Sequence, residues 1–127
     1  MACFIGMIAA ALLAGCSHGL TVGQGAYRGP LIGVNSSGEW HELIARTPTP
    51  GWTFTLDAKR DILDAERVFV TLRRPNPIAA YPSTTVTMHL LTPVRTFVGI
   101  EVYARVVPFT GGDDTPYRPV VTPSTEP

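Results

Sequence analysis

From Trp52 to Val106 the chain keeps a two-residue rhythm of apolar and polar side chains, a period that an amphipathic helix cannot use. Trp52, Phe54 and Leu56 alternate with Thr53, Thr55 and Asp57, and Val68, Val70 and Leu72 alternate with Phe69, Thr71 and Arg73. Val86, Met88 and Leu90 alternate with Thr85, Thr87 and His89, and the longest run sets Val98, Ile100, Val102, Ala104 and Val106 against Gly99, Glu101, Tyr103 and Arg105. Successive side chains of a strand point to opposite faces, so each run predicts a strand with one wet face. Trp40 to Arg46 adds a further candidate. Pro48, Pro50, Pro75, Pro77, Pro82 and Pro93 fall between the runs, where a residue without an N–H costs no ladder bond. Asp57 to Glu66, the one helical candidate, is short and joins two alternating runs, so it reads as a β-hairpin. Five or six short strands, with 15 Thr and 12 Val in the chain, predict an all-β fold: a small antiparallel β-sandwich or partly open barrel.

The first residues obey a different rule. Ala2 to Gly15 are fourteen residues without a charge or a strongly polar side chain. About 20 apolar residues are needed to span a bilayer, so this stretch suits the apolar core of a signal peptide. It closes on Leu13-Ala14-Gly15-Cys16, which resembles the lipobox of bacterial lipoproteins. In that family the cysteine thiol is joined to diacylglycerol, the peptidase cuts just before it, and the new amino terminus is often acylated. The resemblance implies cleavage between Gly15 and Cys16, lipidation at Cys16 and attachment to a membrane. Where the family carries Lys or Arg before the apolar core, Met1-Ala2-Cys3 offers only the terminal amine. Two or three acyl chains, at roughly 0.8 kcal/mol per buried methylene, hold a protein that one chain would not. By the same analogy Ser17 implies the outer membrane, with the protein facing the periplasm. Cys3 leaves with the leader, so Cys16 has no disulfide partner and stability must come from a core.

Composition divides the chain into residues 1–15 as the leader, 16–36 as a lipidated flexible tether rich in glycine, 37–110 as the β domain and 111–127 as a disordered or extended Pro-rich tail. One short strand near Leu31 to Val34 is expected within the tether. The order Gly51-Trp52-Thr53-Phe54-Thr55-Leu56-Asp57, then Val68-Phe69-Val70-Thr71, Pro75-Asn76-Pro77 and Leu91-Thr92-Pro93 resembles the C-terminal β domain of PrcB-type protease-complex subunits over residues 51–106. Ser83-Thr84 and His89 stand where such domains often carry a small or Cys residue and a Gln. That resemblance implies an accessory subunit that binds an envelope protein partner without catalysis of its own.

Ten basic residues balance ten acidic ones and are interspersed with them, which argues against a nucleic-acid binder. Catalysis needs a nucleophile with a base, or clustered metal ligands, and neither is visible at recognisable spacing. His18, His41 and His89 lie far apart in sequence; a site of His41, His89 and Glu42 is conceivable, but unrelated surface histidines are the simpler expectation. Asp57, Asp61, Asp64 and Glu66, interrupted by Lys59 and Arg60, read as a solvated hairpin tip because the glycine and final glutamate of a calcium loop are absent. Gly23-Gln24-Gly25 and Gly111-Gly112-Asp113-Asp114 lack the strand and helix of a phosphate cradle, so no cofactor is expected. Trp40, Trp52 and Tyr81 form a candidate binding surface, and as an aromatic platform they offer the alternative of a carbohydrate or peptidoglycan binding module. Arg73, Arg74 and Arg95 read as solvated charges on a wet face.

Overall fold

The structure, a computed structural model, describes residues 20–121. The leader, the Gly15–Cys16 junction, His18 and residues 122–127 lie outside the described residues. Among the described residues seven strands follow one another: β1 (Leu31–Asn35), β2 (Trp40–Thr47), β3 (Thr53–Ile62), β4 (Ala65–Arg73), β5 (Val86–Arg95), β6 (Gly99–Val107) and β7 (Arg118–Pro119). They form two sheets, ordered β1-β2-β5 and β3-β4-β6-β7. Their inner faces share one core, in which Ile32, Leu43, Ala45 and Val94 meet Val68, Val70, Leu72, Val102 and Ala104. The all-β sandwich expected from the alternation is the fold. Asp57 to Glu66 is a hairpin, with Thr53 paired to Arg73 and Ile62 to Ala65, and only Leu63 and Asp64 make the turn.

Three features depart from the sequence reading. The pairing is mixed rather than purely antiparallel, because β4 and β6 run parallel from Ala65↔Gly99 to Arg73↔Val107. A parallel pair needs a long crossover, and here β5 in the opposite sheet supplies it. β4 is thus an interior strand, and it is covered on both faces: Phe69 and Thr71, assigned by alternation to the wet face, are buried beside Val68 and Val70.

The second departure concerns the cover over that face. Residues 111–121, read as part of an extended tail, contain β7 and place Tyr117 edge-on against Phe69, ring centroids 5.2 Å apart. Each ring is 1% exposed. The strand expected near Leu31 to Val34 is β1, but residues 20–30, read as tether, are packed too: Val22 bridges Tyr117, and the Tyr27 N–H donates to the Pro119 carbonyl at 2.8 Å. Apolar rings outweigh the glycine and proline content of both segments, because each finds an uncovered part of the sheet to bury.

Pro93 supplies the third, since it lies inside β5 rather than between strands. The register between β2 and β5 jumps from Trp40↔Arg95 to Glu42↔Leu91, a bulge that absorbs the missing N–H. There the Thr92 hydroxyl donates to the His41 carbonyl at 2.8 Å, doing with a side chain what the ladder cannot.

Candidate functional site

The structure splits the three aromatic residues of the candidate surface, setting Trp40 apart from the other two. Trp40 opens β2 and pairs with Arg95, whose guanidinium carbon sits 4.3 Å from the ring centroid and whose charge is met by Glu39. Trp52 lies past the other end of β2, which extends roughly 23 Å from Trp40 to Thr47 at about 3.3 Å per residue, and immediately precedes β3 in the opposite sheet. It is half-buried against the core, its Nε1–H has no hydrogen-bond partner, and Arg74 covers the ring at 5.4 Å. Tyr81 joins Trp52 rather than Trp40: a β-carbon on Gly51 would stand 2.7 Å from the Tyr81 ring, and Gly51 takes φ +94° to turn there. The chain thus brings Trp52 and Tyr81 together and leaves Trp40 apart.

What the sheet offers instead is the outer face of β1-β2-β5. Leu31, 67% exposed, and Leu91, 61% exposed, flank the half-buried Ile44. Gly33 stands opposite Ile44, and no atom lies within 4 Å of where a β-carbon on Gly33 would be, so the face dips there. A cavity of about 280 Å³ follows, lined by Leu31, Ile32, Gly33, Val34, Ile44 and Arg46. Glu42 and His89 sit beside it as a contact of 3.5 Å. Both bounding strands, β1 and β5, pair on one side only.

His41 and His89 do not meet. His41 points inward and is 5% exposed, a correction to its reading as a surface residue. Its Nε2–H donates to the Val98 carbonyl at 2.6 Å and its Nδ1 lies 2.7 Å from the Ser36 hydroxyl, so the ring ties the β1–β2 turn to the β5–β6 turn. The Thr96 hydroxyl strengthens that tie by donating to the Gly38 carbonyl at 2.9 Å. Among the described residues no group of three or more His, Cys, Asp or Glu side chains could hold a metal ion.

The strongest polar cluster was missed in the sequence. Asp57 is the extra residue of a bulge between Leu56↔Val70 and Ala58↔Phe69, which turns its carboxylate over the outer face of the sheet and away from the other hairpin acids. The carboxylate accepts from the Thr71 hydroxyl and, at 2.7 Å, from the Tyr117 phenol. Arg105 Nε donates to the Thr71 oxygen at 2.9 Å, and its Nη1 donates to the carbonyls of Asp113 and Thr115 at 2.9 and 3.0 Å. Burial, then the hydrogen bond to Asp57, pushes the Tyr117 phenol up to about 12. Arg73 completes the arrangement by donating to the carbonyls of Pro108 and Gly111, both at 3.0 Å, so two arginines that alternation places on a wet face clamp the 108–115 loop. An acid at an otherwise ordinary strand position was the one signal of this network. The remaining hairpin acids do lie at the surface, with Lys59 bonded to Glu66 at 3.0 Å and 3.6 Å from Asp61.

Comparison of the chain with protein-family models, curated proteins and solved structures gave no match. Among the described residues no helix is long and apolar enough to cross a membrane.

Proposed function

We propose that this chain is a lipid-anchored bacterial envelope protein whose β-sandwich binds another protein and performs no catalysis of its own. The observation that carries the reading is Leu13-Ala14-Gly15-Cys16 at the end of fourteen uncharged, largely apolar residues. Small residues before the cut suit the peptidase cleft, and only a thiol at the cut can become the thioether. Binding of a partner is supported by the outer face of β1-β2-β5, where Leu31 and Leu91 are exposed around the Gly33 dip between two strand edges. Apolar side chains and free strand edges together are what protein partners use. An accessory subunit of a protease complex is the narrower form of the proposal, supported by the strand and proline spacing of residues 51–106.

Expressed from its own start codon in a bacterium fed labelled palmitate, the protein should carry label and partition into detergent. Cys16→Ser should abolish both. Label that persists in the variant, or none in the wild type, overturns the anchor. A photo-crosslinking side chain at Leu31 or Leu91 should trap one envelope protein that the same probe at Asp61 does not. Equal capture at all three positions overturns the binding face.

A further inference from the structure

The backbone joins the fold soon after the proposed anchor. The Tyr117 N–H donates to the Thr21 carbonyl at 2.7 Å, and the Gly23 N–H donates to the Tyr117 carbonyl at 2.8 Å. Thr21 is five residues beyond Cys16, and an extended chain covers at most about 3.6 Å per residue, so the held backbone lies within about 18 Å of Cys16. Whatever the domain presents at this corner is presented close to the bilayer.

Two arginines stand there. Arg28 and Arg118 line a cavity of about 440 Å³ with Gly25 and Ala26, and no acid belongs to its wall. The Arg118 guanidinium extends over Gly23 and Gly25, its Cζ and Nη1 3.4 and 3.3 Å from where their β-carbons would be. Gly25, at φ +86°, keeps the wall open, since a side chain there would meet both strain and the guanidinium. Elsewhere Arg67, Arg73 and Arg95 pair with carboxylates, Arg60, Arg74 and Arg105 lie over aromatic rings, and Arg46 stands apart on the outer face of β1-β2-β5. Arg28 and Arg118 have no carboxylate within ion-pair distance among the described residues, so their charge is left for a ligand. A guanidinium offers paired N–H donors that match phosphate oxygens.

We propose that the cleft between Arg28 and Arg118 takes the phosphate of an anionic phospholipid headgroup beside the anchor, and so fixes which side of the domain faces the membrane. The assignment of lipid as the source rests on the anchor reading, because a soluble phosphate ester offers the same chemistry and only the short arm favours the bilayer.

The test uses the chain from Cys16 onward, which keeps every strand and core residue described above. Cys16, its only thiol, is coupled to a maleimide-bearing lipid in phosphatidylcholine vesicles with or without phosphatidylglycerol, and modification of each arginine by phenylglyoxal is followed by mass spectrometry. Arg28 and Arg118 should react roughly fivefold or more slowly on the anionic vesicles, the scale expected per basic residue at such a surface. Arg46, on the outer face of the other sheet, should react equally on both. Arg28→Gln, at an exposed side chain whose loss leaves the core intact, should weaken the protection of Arg118. Equal rates for Arg28 and Arg118 on the two vesicles overturn the proposal. Protection by millimolar glycerol phosphate as strong as that by phosphatidylglycerol overturns the lipid assignment. The maleimide supplies the anchor in every arm, so these results are independent of whether cells lipidate Cys16, which the palmitate label decides.

Discussion

Tyr117 ties the segment after β6 to the sheet twice, since its ring closes over Phe69 while its phenol bonds Asp57. A buried phenol donating to a carboxylate resists ionisation, and the folded value of about 12 lies above the ordinary 10. The unfolded chain therefore releases this proton first as pH rises. The contribution to stability is complete below pH 10 and is lost between about 10 and 12. Tyr27, likewise held protonated by burial while its hydroxyl donates to the Pro30 carbonyl, acts in the same direction. Tyr117→Phe should cost about 2 kcal/mol near neutral pH, since the Asp57 carboxylate loses one donor. It should also flatten the decline of stability above pH 10, as read by urea melts across that range. An unchanged alkaline slope would show that the Tyr117 phenol does not resist ionisation in the folded protein.

At the scale of elements, β5 shows how a strand survives a proline. Pro93 has no N–H, and the bulge leaves the His41 carbonyl to the Thr92 hydroxyl. Thr92→Val keeps the shape but removes that donor and the acceptor of the Val94 N–H, so it should cost about 1–3 kcal/mol in a denaturant melt for buried backbone groups left unpaired. A cost near zero would mean the carbonyl finds another partner. β4 is the element on which both layers depend. Leu72, fully buried between the sheets, should cost about 2–5 kcal/mol when replaced by Ala, whereas Thr85→Ala, exposed just before β5, should change stability by less than about 0.5 kcal/mol. The alternation named the inward residues of β4 correctly. It could not show that the opposite residues are covered, since period two reports only which side chains share a face.

For the whole molecule, the segments beside the two termini are structural parts and not appendages. Residues 20–30 bond to residues 117–119, which in turn pair with β6 through Tyr103↔Pro119 and Ala104↔Arg118. Ending the chain at Gly112 should uncover Phe69, remove the Tyr117 phenol from Asp57 and the Asp113 and Thr115 carbonyls from Arg105, and broaden or abolish cooperative unfolding. The amides of Gly23, Tyr27 and Tyr117 should exchange with solvent as slowly as those of neighbouring sheet residues in the intact protein. Fast exchange at all three, measured by hydrogen–deuterium exchange, would return both segments to the status of tether and tail.

The all-β class, the position of the β3–β4 hairpin and the inward valines of β4 and β6 could be read from residue order, because each depends on neighbours two apart or on a local turn. The proposed leader and lipidation at Cys16 rest likewise on contiguous residues. Long-range pairing could not be read this way. The parallel contact of β4 with β6, the separation of Trp40 from Trp52, the inward turn of His41 and the burial of Tyr117 all join residues distant in sequence. Each is set by which apolar surface remains uncovered once the hairpins have formed, and that is a property of the assembled sheets. Local composition made residues 20–30 and 111–121 look like unanchored chain because glycine and proline report backbone freedom, whereas a few buried rings and the Asp57–Thr71–Tyr117 bonds are enough to remove it.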